Sequence, residues 1–287
     1  MNNNFAIFIL TNGRHDRVYT YNALRKNGYT GKIYLLVDDE DKDLKGYQKL
    51  YKNEVVIFSK QDAINMTDNV DNFNKRNSVV YARNYSFKIA EDLKIKYFLQ
   101  LDDDYTTFDF AFYNKKYVAH KKILNLDKTI DIMLEFYKNT NVKSIAFAQG
   151  GDFIGGENSG LSKTYLKGEL SRKVMNSFFC STERPFKFMG RINEDVNLYV
   201  SEGVKGGLFF TIAQIRLEQK ATQSNTGGLT DIYLDLGTYV KSFYSVICAP
   251  SCVKLMSMGV KHKRIHHKIY WKNASPCILS EEHKKRW

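Results

Sequence analysis

Three consecutive carboxylates, Asp102 to Asp104, close an apolar run of the chain that spans residues 97–101. Adjacent negative charges repel one another, so such a strand end is costly to assemble unless a cation balances the charge. A hard divalent ion takes oxygen ligands and typically joins one or two carboxylates to the phosphates of a substrate. The pattern therefore predicts a site for Mn²⁺ or Mg²⁺, and an exposed acidic turn is the plainer alternative.

Basic and histidine side chains gather near the end of the chain. Between Lys254 and Trp287 there are nine Lys or Arg residues and only two acidic residues. Four histidines lie within this segment, and three of them, His262, His266 and His267, are close together in the sequence. A solvated tail rarely combines such charge with histidines and aromatic residues, so the composition favours a folded element that binds an anion.

Two cysteines precede these histidines at a spacing close to that of a zinc site, with Cys248 and Cys252 before His262 and His266. The gap between the two pairs is shorter than usual, and the apolar neighbours of Cys252 indicate a core position. A structural zinc ion is therefore one of three interpretations. In the other two, a histidine completes an active-site metal site, or the histidines have no special role.

The elements that must position these residues alternate along the first hundred residues. Apolar runs predict strands, and apolar residues at helical spacing predict helices. The predicted strands are residues 5–10, 32–37, 55–58 and 97–101, and the predicted helices are 16–26, 44–51 and 79–93. This alternation implies a parallel sheet covered on both faces, whose ligands bind at the carboxyl ends of the strands. A second acidic cluster, at 38–41, lies at such an end.

The second half of the chain is less regular. A helix is predicted at 127–139 and a strand at 144–148, while residues 194–200 begin a helix and residues 207–212 form a strand. No linker or internal repeat divides the chain, so we expect a single domain over residues 1–287.

The overall composition excludes several classes of protein. The chain has 287 residues, a formal net charge of +12 and 43% hydrophobic residues, as expected of a folded protein that meets an anionic partner. No apolar run of about 18 residues is present, so we expect no membrane contact and a cytoplasmic location. Four cysteines are too few for a disulfide framework, and no obligatory protein partner is evident.

Residues 80–84, Val-Tyr-Ala-Arg-Asn, precede the strand that ends in the acidic triple. This order resembles the nucleotide-sugar half of the GT-A glycosyltransferases, in which an Ala-Arg-Asn helix start is followed by a strand ending in a DxD metal motif. The resemblance implies an α/β fold with a Rossmann-like, mostly parallel sheet flanked by helices. Residues 1–110 would form the nucleotide-sugar-binding half, and residues 111–287 a mixed α+β acceptor half with the basic, histidine-containing end.

The same resemblance implies roles for individual residues. Asp102 and Asp104 hold Mn²⁺ or Mg²⁺ on the diphosphate of a nucleotide sugar, with a UDP-sugar as the expected donor, and Asp103 lies near the sugar or ribose. A late histidine, His266 or His267, completes the metal site. The other donor contacts that it implies are Thr11, Asn12, Arg14, Asp38, Asp39, Arg83, Lys241 and Lys268.

An acidic pair, Glu194-Asp195, follows Gly190-Arg191 and resembles the pair that many GT-A enzymes place beside the acceptor. In those enzymes the acid is a general base that removes the proton of the attacking hydroxyl, and the family pattern favours Asp195. Acidic residues in the first turn of a helix also interact favourably with the helix dipole, which is the alternative role.

Dispersed later motifs narrow the resemblance to the TET-associated glycosyltransferases, a group that includes phage enzymes and the base J glucosyltransferase. The motifs are at residues 223–228, 239–242, 249–254, 264–267 and 271–272. This resemblance implies a phage-type enzyme that transfers a sugar to a hydroxymethylpyrimidine in DNA.

Two other functions are compatible with the sequence. One is a GT-A enzyme that acts on a saccharide or protein. The other is a non-catalytic DNA-binding protein whose end is stabilised by a structural zinc ion. For a DNA acceptor, an aromatic and basic segment is a candidate surface, with core packing as an equally simple interpretation. Its residues are Phe178, Phe179, Phe186 and Phe188, interleaved with Arg184, Lys187 and Arg191.

Overall fold

The computed structural model describes residues 4–220, 237, 239–259 and 263–276. The motif at 223–228, His262 and the chain from residue 277 onward therefore lie outside the described residues. The described strands are β1 Phe5–Leu10, β2 Ile33–Asp38, β3 Val55–Phe58, β4 Tyr97–Asp102, β5 Tyr105–Tyr113, β6 Lys116–Lys122, β7 Ser144–Gln149, β8 Ser177–Ser181, β9 Phe209–Gln219, β10 Val253–Met258 and β11 Arg264–Ile269.

The helices follow the apolar periodicity of the sequence, and several begin at a capping side chain. Ser78 and Asn125, for example, accept hydrogen bonds from backbone N–H groups in the first turns of α4 and α5, which stabilises these helix starts. The helices are α1 Tyr19–Lys26, α2 Leu44–Tyr51, α3 Lys60–Asn65, α4 Val79–Asp92, α5 Leu126–Lys138, α6 Gly160–Leu166, α7 Glu194–Val204 and α8 Val240–Cys248.

A five-stranded sheet of order β3-β2-β1-β4-β8 forms the centre of the fold. Its first four strands are parallel, and β8 runs antiparallel to β4. Side chains of β1 alternate between two hydrophobic clusters, with Phe8 in one and Ile7 in the other. Helix α4 contributes to the first cluster, and α1 and α5 contribute to the second. The predicted parallel sheet with helices on both faces is confirmed.

A second sheet, of order β6-β5-β9-β7, follows the first directly. Only Asp103 and Asp104 separate β4 of the central sheet from β5 of the second. The two sheets also meet where the N–H of Phe147, on β7, donates a hydrogen bond to Ser177 Oγ, on β8, at 3.1 Å. The acidic triple therefore lies at the junction of the two sheets.

The strands at 5–10 and 55–58 and the helix at 44–51 were predicted with the observed ends. The sequence patterns did not predict β5, β6, β8 or the hairpin of β10 and β11. They also did not predict α3, which lies in a polar part of the sequence. Strand β11 is largely exposed, so its sequence lacks the apolar alternation of a half-buried strand. Within the described ranges, no helix combines the length and apolar character needed to cross a membrane.

Candidate active site

Asp103 connects the end of β4 to the loop after β1. Its buried carboxylate accepts hydrogen bonds from Thr11 Oγ1 at 2.7 Å and from Arg14 Nη1 at 2.9 Å. Burial raises the pKa of Asp103, while the positive charge of Arg14 acts in the opposite direction. Three residues that the resemblance assigned to the donor are therefore in direct contact.

Thr20, on α1, holds the backbone of the acidic triple in place. Its hydroxyl donates a hydrogen bond to the carbonyl oxygen of Asp102 at 2.6 Å, and its N–H donates to that of Asp103 at 3.1 Å. The N–H of Tyr105 in turn donates to Thr20 Oγ1 at 2.9 Å. Sequence reasoning missed Thr20, because a single threonine carries no motif and only the fold shows which backbone it faces.

We expect Thr20→Val to weaken the binding of Mn²⁺ in the presence of UDP. Valine keeps the shape but removes both hydrogen bonds of the hydroxyl, and a loss of this kind corresponds to roughly tenfold weaker binding. Calorimetric titration with Mn²⁺ measures the effect. Thr20→Ser, which keeps the hydroxyl, should bind Mn²⁺ almost as well as the wild type. An equal loss in both variants would contradict this positioning role.

Arg83 joins the two acidic groups of the site. Its Nη2 donates a hydrogen bond to Asp102 Oδ1 at 2.8 Å, and its Nε donates to Glu194 Oε1 at 3.0 Å. The guanidinium carbon lies 5.1 Å and 5.7 Å from the ring centroids of Phe178 and Phe188. Arg83 is 0% exposed, so it links the end of β4 to the start of α7 from within the core.

We expect Arg83→Met to lower the free energy of unfolding by about 3–5 kcal/mol at neutral pH, because it leaves two carboxylates without their counter-charge. Burial raises the pKa of Asp102 to about 7 against the lowering effect of Arg83. Without Arg83 this pKa should rise further, so the deficit should shrink as the pH falls toward about 7 and the carboxyl group of the variant takes up a proton. Urea denaturation across this range measures both effects.

Arg76→Met is the matched control, since Arg76 forms an exposed ion pair with Glu40. Exposed pairs contribute about 0–1 kcal/mol, so this variant should unfold almost like the wild type. A similar loss of unfolding free energy in the two arginine variants would show that the buried ion pairs contribute no more to stability than the exposed pair.

Asp104 offers an oxygen that is suited to a cation. Its Oδ2 accepts a hydrogen bond from Gln219 Nε2 at 3.0 Å, whereas its buried Oδ1 has no hydrogen-bond partner among the described residues. Burial raises the pKa of Asp104, as it does that of Asp102. A buried carboxylate oxygen without a donor costs free energy that a metal ion would recover, so these two side chains fit a hard divalent ion.

No three His, Cys, Asp or Glu side chains in the described parts of the chain are grouped closely enough to hold a metal ion. Mg²⁺ and similar ions are commonly bound by one or two carboxylates together with water and substrate phosphates. Asp102 and Asp104 are compatible with a site of that kind.

The ends of β1 and β2 carry the residues that were predicted to contact the nucleoside. Asp38 is buried and accepts hydrogen bonds from Lys60 Nζ at 2.8 Å and from Asn12 Nδ2 at 3.0 Å. Asp39 Oδ1 accepts a hydrogen bond from the N–H of Lys60 at 2.8 Å, at the start of α3. Asn12 and Asp39 are themselves exposed.

The acidic pair occupies the first turn of α7. Asn193, which precedes it with φ at 60°, donates a hydrogen bond from Nδ2 to Ser245 Oγ at 2.6 Å. Both acidic side chains are buried, and Asp195 Oδ1 accepts a hydrogen bond from the N–H of Val196 at 2.8 Å. Burial and the neighbouring negative charge of Glu194 raise the pKa of Asp195 to about 6. A carboxylate that titrates near neutral pH is suited to general base catalysis.

His266 and His267 lie on β11 and, with Lys241 of α8, line a cavity of about 640 Å³. Burial and the nearby positive charges of His266, Lys241 and Lys173 lower the pKa of His267 to about 4. Lys268 is exposed on the same strand. The acidic triple is not among the residues that the structure places around this cavity. The metal and diphosphate contacts assigned to these late residues stay predictions.

The aromatic segment considered as an acceptor surface belongs to the core instead. Phe178, Phe179, Phe186 and Phe188 are each at most 5% exposed, and Arg191 is buried as well. Strand β8 pairs with β4 as the last strand of the central sheet. The aromatic rings on β8 therefore point into the core. The sequence could not separate the two interpretations, because interleaved basic and aromatic residues occur both at surfaces and at the rim of a core.

Among the described residues, neither Cys248 nor Cys252 belongs to a group of side chains that could hold a metal ion. Cys252 is 1% exposed, as its apolar neighbours indicated, and its Sγ lies 3.3 Å from the carbonyl oxygen of Asn273. Cys248 is partly buried, and burial raises the pKa of its thiol to about 11. Such a thiol stays protonated at neutral pH, which disfavours metal binding.

A mostly parallel sheet ends in an acidic triple, and a buried arginine links this triple to an acidic pair at a helix start. This fold is of the GT-A type that the sequence predicts, which is the fold of a class of glycosyltransferases. Residues 5–228 match the family model of the TET-Associated Glycosyltransferase, and the chain belongs to this family. The protein is therefore an enzyme, and the non-catalytic alternative is wrong.

Three solved structures are similar to the chain at 12% sequence identity. Glucosyl-3-phosphoglycerate synthase from Mycobacterium tuberculosis, in complex with Mn²⁺, UDP and phosphoglyceric acid, has a TM-score of 0.47 over 92% of this chain and 86% of that chain. GalNAc-T7 with UDP, GalNAc and Mn²⁺ has a TM-score of 0.47 over 85% and 48%. TarS 1–349 from S. aureus with UDP-GlcNAc has a TM-score of 0.42 over 84% and 66%. No curated protein sequence matches the chain.

Proposed function

We propose that the protein transfers a sugar from a UDP-sugar to the hydroxyl group of a hydroxymethylated pyrimidine in DNA, with Mn²⁺ or Mg²⁺ bound at Asp102 and Asp104. The observation that carries this proposal is the buried link from Asp102 through Arg83 to Glu194, which joins the acidic end of β4 to the acidic start of α7. The DNA acceptor is the one that the family resemblance implies. A net charge of +12 is compatible with a nucleic acid partner.

In this proposal the donor binds at the carboxyl ends of β1, β2 and β4, where ligands of parallel sheets bind. Thr11 and Arg14 hold Asp103, so the loop after β1 and the turn after β4 form one frame for the sugar and ribose. Asn12 and Asp39 are exposed next to this frame and are assigned to the nucleoside.

The divalent cation, when bound, offsets the negative charge that develops on the departing diphosphate. Asp102 and Asp104 are the residues that would hold it. Arg83 counteracts the effect of burial on Asp102 and so favours its ionised form, and Gln219 orients the carboxylate of Asp104.

Asp195 is assigned as the general base. The acceptor oxygen forms a bond to the anomeric carbon of the sugar, while the bond from that carbon to the diphosphate oxygen breaks and the nucleoside diphosphate leaves. The proton of the hydroxyl group passes to the carboxylate of Asp195, whose Oδ1 is held by the N–H of Val196. Glu194 is engaged by Arg83, so its role is to orient the start of α7.

Mass spectrometry of nucleosides tests the proposed function. Hydroxymethylated DNA is incubated with the protein, Mn²⁺ and a panel of nucleotide sugars, and then digested. We expect a hexose or pentose mass increment on the hydroxymethylpyrimidine with one donor, and none with unmodified DNA or after removal of the metal by EDTA. Transfer to saccharide or protein acceptors in parallel reactions, without transfer to DNA, would support the alternative acceptor class and contradict the proposal.

A further inference from the structure

The cavity of about 640 Å³ beside α7 has no role in the donor site described above. All of its lining residues come after residue 163, whereas the donor frame is built from the first 105 residues. Asn193 and Val196 line the cavity, while Glu194, between them in the sequence, reaches Arg83 in the opposite direction. The first turn of α7 therefore borders the cavity and is also linked to the end of β4 through Arg83, and Asp195 belongs to this turn.

The cavity carries positive charge that is not balanced within the described part of the chain. Arg172 and Lys241 both line it, and no described carboxylate lies within ion-pair distance of either side chain. Lys173 also lines it and is paired with Asp152 at 2.6 Å. No acidic residue is among the lining residues. Burial and the positive charge of Arg264 lower the pKa of Lys241, against the opposite effect of Asp195, and a bound anion would relieve this cost.

An aromatic wall accompanies the charge. The rings of Tyr199 and Trp271 stack with their centroids 5.7 Å apart and an interplanar angle of 22°. The guanidinium of Arg172 lies 4.6 Å from the ring of Trp271. Aromatic rings beside basic groups are typical of sites that bind unpaired bases, since the flat face of a base packs on an aromatic side chain and its phosphate pairs with the basic group.

We propose that this cavity is the acceptor subsite and binds a single pyrimidine nucleotide, with its base beside Trp271 and its phosphate at Lys241 and Arg172. The inference rests on the proposed function, because it names where that acceptor binds. A base within a duplex must leave the stack to reach a cavity of this kind. The volume is within the range of about 300–1,000 Å³ that small-ligand sites occupy. The acceptor hydroxyl is then brought to the first turn of α7, which carries Asp195.

Binding measurements with Lys241→Gln test the subsite without turnover. The probes are a short single-stranded oligonucleotide with one 5-hydroxymethyl-2′-deoxyuridine and the free 5′-monophosphate of that nucleoside. We expect the variant to bind the oligonucleotide about tenfold or more weakly, the loss expected for one charge-assisted contact, and to bind UDP with Mn²⁺ as the wild type does. Lys254→Gln, an exposed change on the neighbouring β10, is the matched control and should leave both affinities unchanged.

Tryptophan fluorescence provides a second readout. The oligonucleotide should quench the emission of the wild type, and Trp271→Phe should abolish most of this quenching, whereas UDP should cause little. Binding of the free monophosphate as tightly as the oligonucleotide would support the cavity but point to mononucleotides as the source of the ligand. Binding of the oligonucleotide alone would support an extruded base of a DNA strand.

Two results would overturn the subsite. Unchanged oligonucleotide affinity in Lys241→Gln would show that the acceptor binds elsewhere. Weaker binding of UDP with Mn²⁺ in this variant, without an effect on the oligonucleotide, would assign Lys241 to the donor diphosphate, as the sequence predicts. In either case, glycosylation of hydroxymethylated DNA by the wild type would leave the proposed function intact. Absence of that reaction, with transfer to another acceptor, would instead reject the DNA function.

Discussion

Asp104→Asn should abolish most of the glycosyltransferase activity, with a fall in kcat/KM of roughly a thousandfold. The amide keeps the shape and can still accept the hydrogen bond of Gln219 Nε2. It removes the negative charge and replaces the buried Oδ1, which has no hydrogen-bond partner in the described structure, with an amide nitrogen that cannot bind a cation. In the proposed site, a divalent ion would then lose one of the two carboxylates that would hold it, and the departing diphosphate would lose the charge that offsets its own.

The same variant should bind UDP weakly in the presence of Mn²⁺, and calorimetry with and without the metal isolates this effect. Its thermal stability without metal should equal or exceed that of the wild type, because burial raises the pKa of Asp104 and the amide carries no charge to bury. Asp92→Asn is the matched control, since Asp92 is exposed and pairs only with Lys88 among the described residues. Full activity of Asp104→Asn with Mn²⁺ would remove Asp104 from the metal site.

Asp195→Asn should lower kcat by about 10²–10⁴-fold while the affinity for UDP with Mn²⁺ stays close to that of the wild type. Asparagine can still accept the hydrogen bond from Val196, so α7 should begin as before. It cannot take up the proton of the acceptor hydroxyl. The change also removes the repulsion between Glu194 and its neighbour, so the variant should be at least as stable as the wild type.

The pH dependence provides an independent check on this base. A general base works when it is ionised, so kcat/KM of the wild type should rise with pH and level off above an apparent pKa of about 6. Asp195→Asn should lack this rise. Glu202→Gln, a change from carboxylate to amide near the end of the same helix, should keep both the rate and the profile. Unaltered turnover in Asp195→Asn would exclude Asp195 as the base.

We expect the effects of these two substitutions to be coupled through Arg83. It holds Asp102 and Glu194 at the same time, so a change at the metal site reaches the start of α7 through one buried guanidinium. Groups that share one network give non-additive effects when they are changed together. A double-mutant cycle of Asp104→Asn and Asp195→Asn would measure this coupling.

The amino-acid sequence by itself determined the class of fold and the position of the acidic triple. Short continuous apolar runs such as β1 are typical of buried strands, and helical periodicity between them favours crossover connections and hence a parallel sheet. The carboxyl ends of neighbouring parallel strands share one edge, so the acidic clusters at 38–41 and 102–104 are predicted to lie at the edge where ligands bind. These are consequences of local pattern and elementary topology.

Only the tertiary structure decided which side chains touch. Arg83 and Glu194 are 111 positions apart in the sequence. No local periodicity indicates that Arg83 pairs with both Glu194 and Asp102. Thr20 acquires its role only because α1 packs on the turn after β4. The burial of Phe178 and the cavity beside α7 likewise depend on long-range packing. Periodicity reports the environment of a residue within its own element, whereas a site is made by contacts between elements that are distant in sequence.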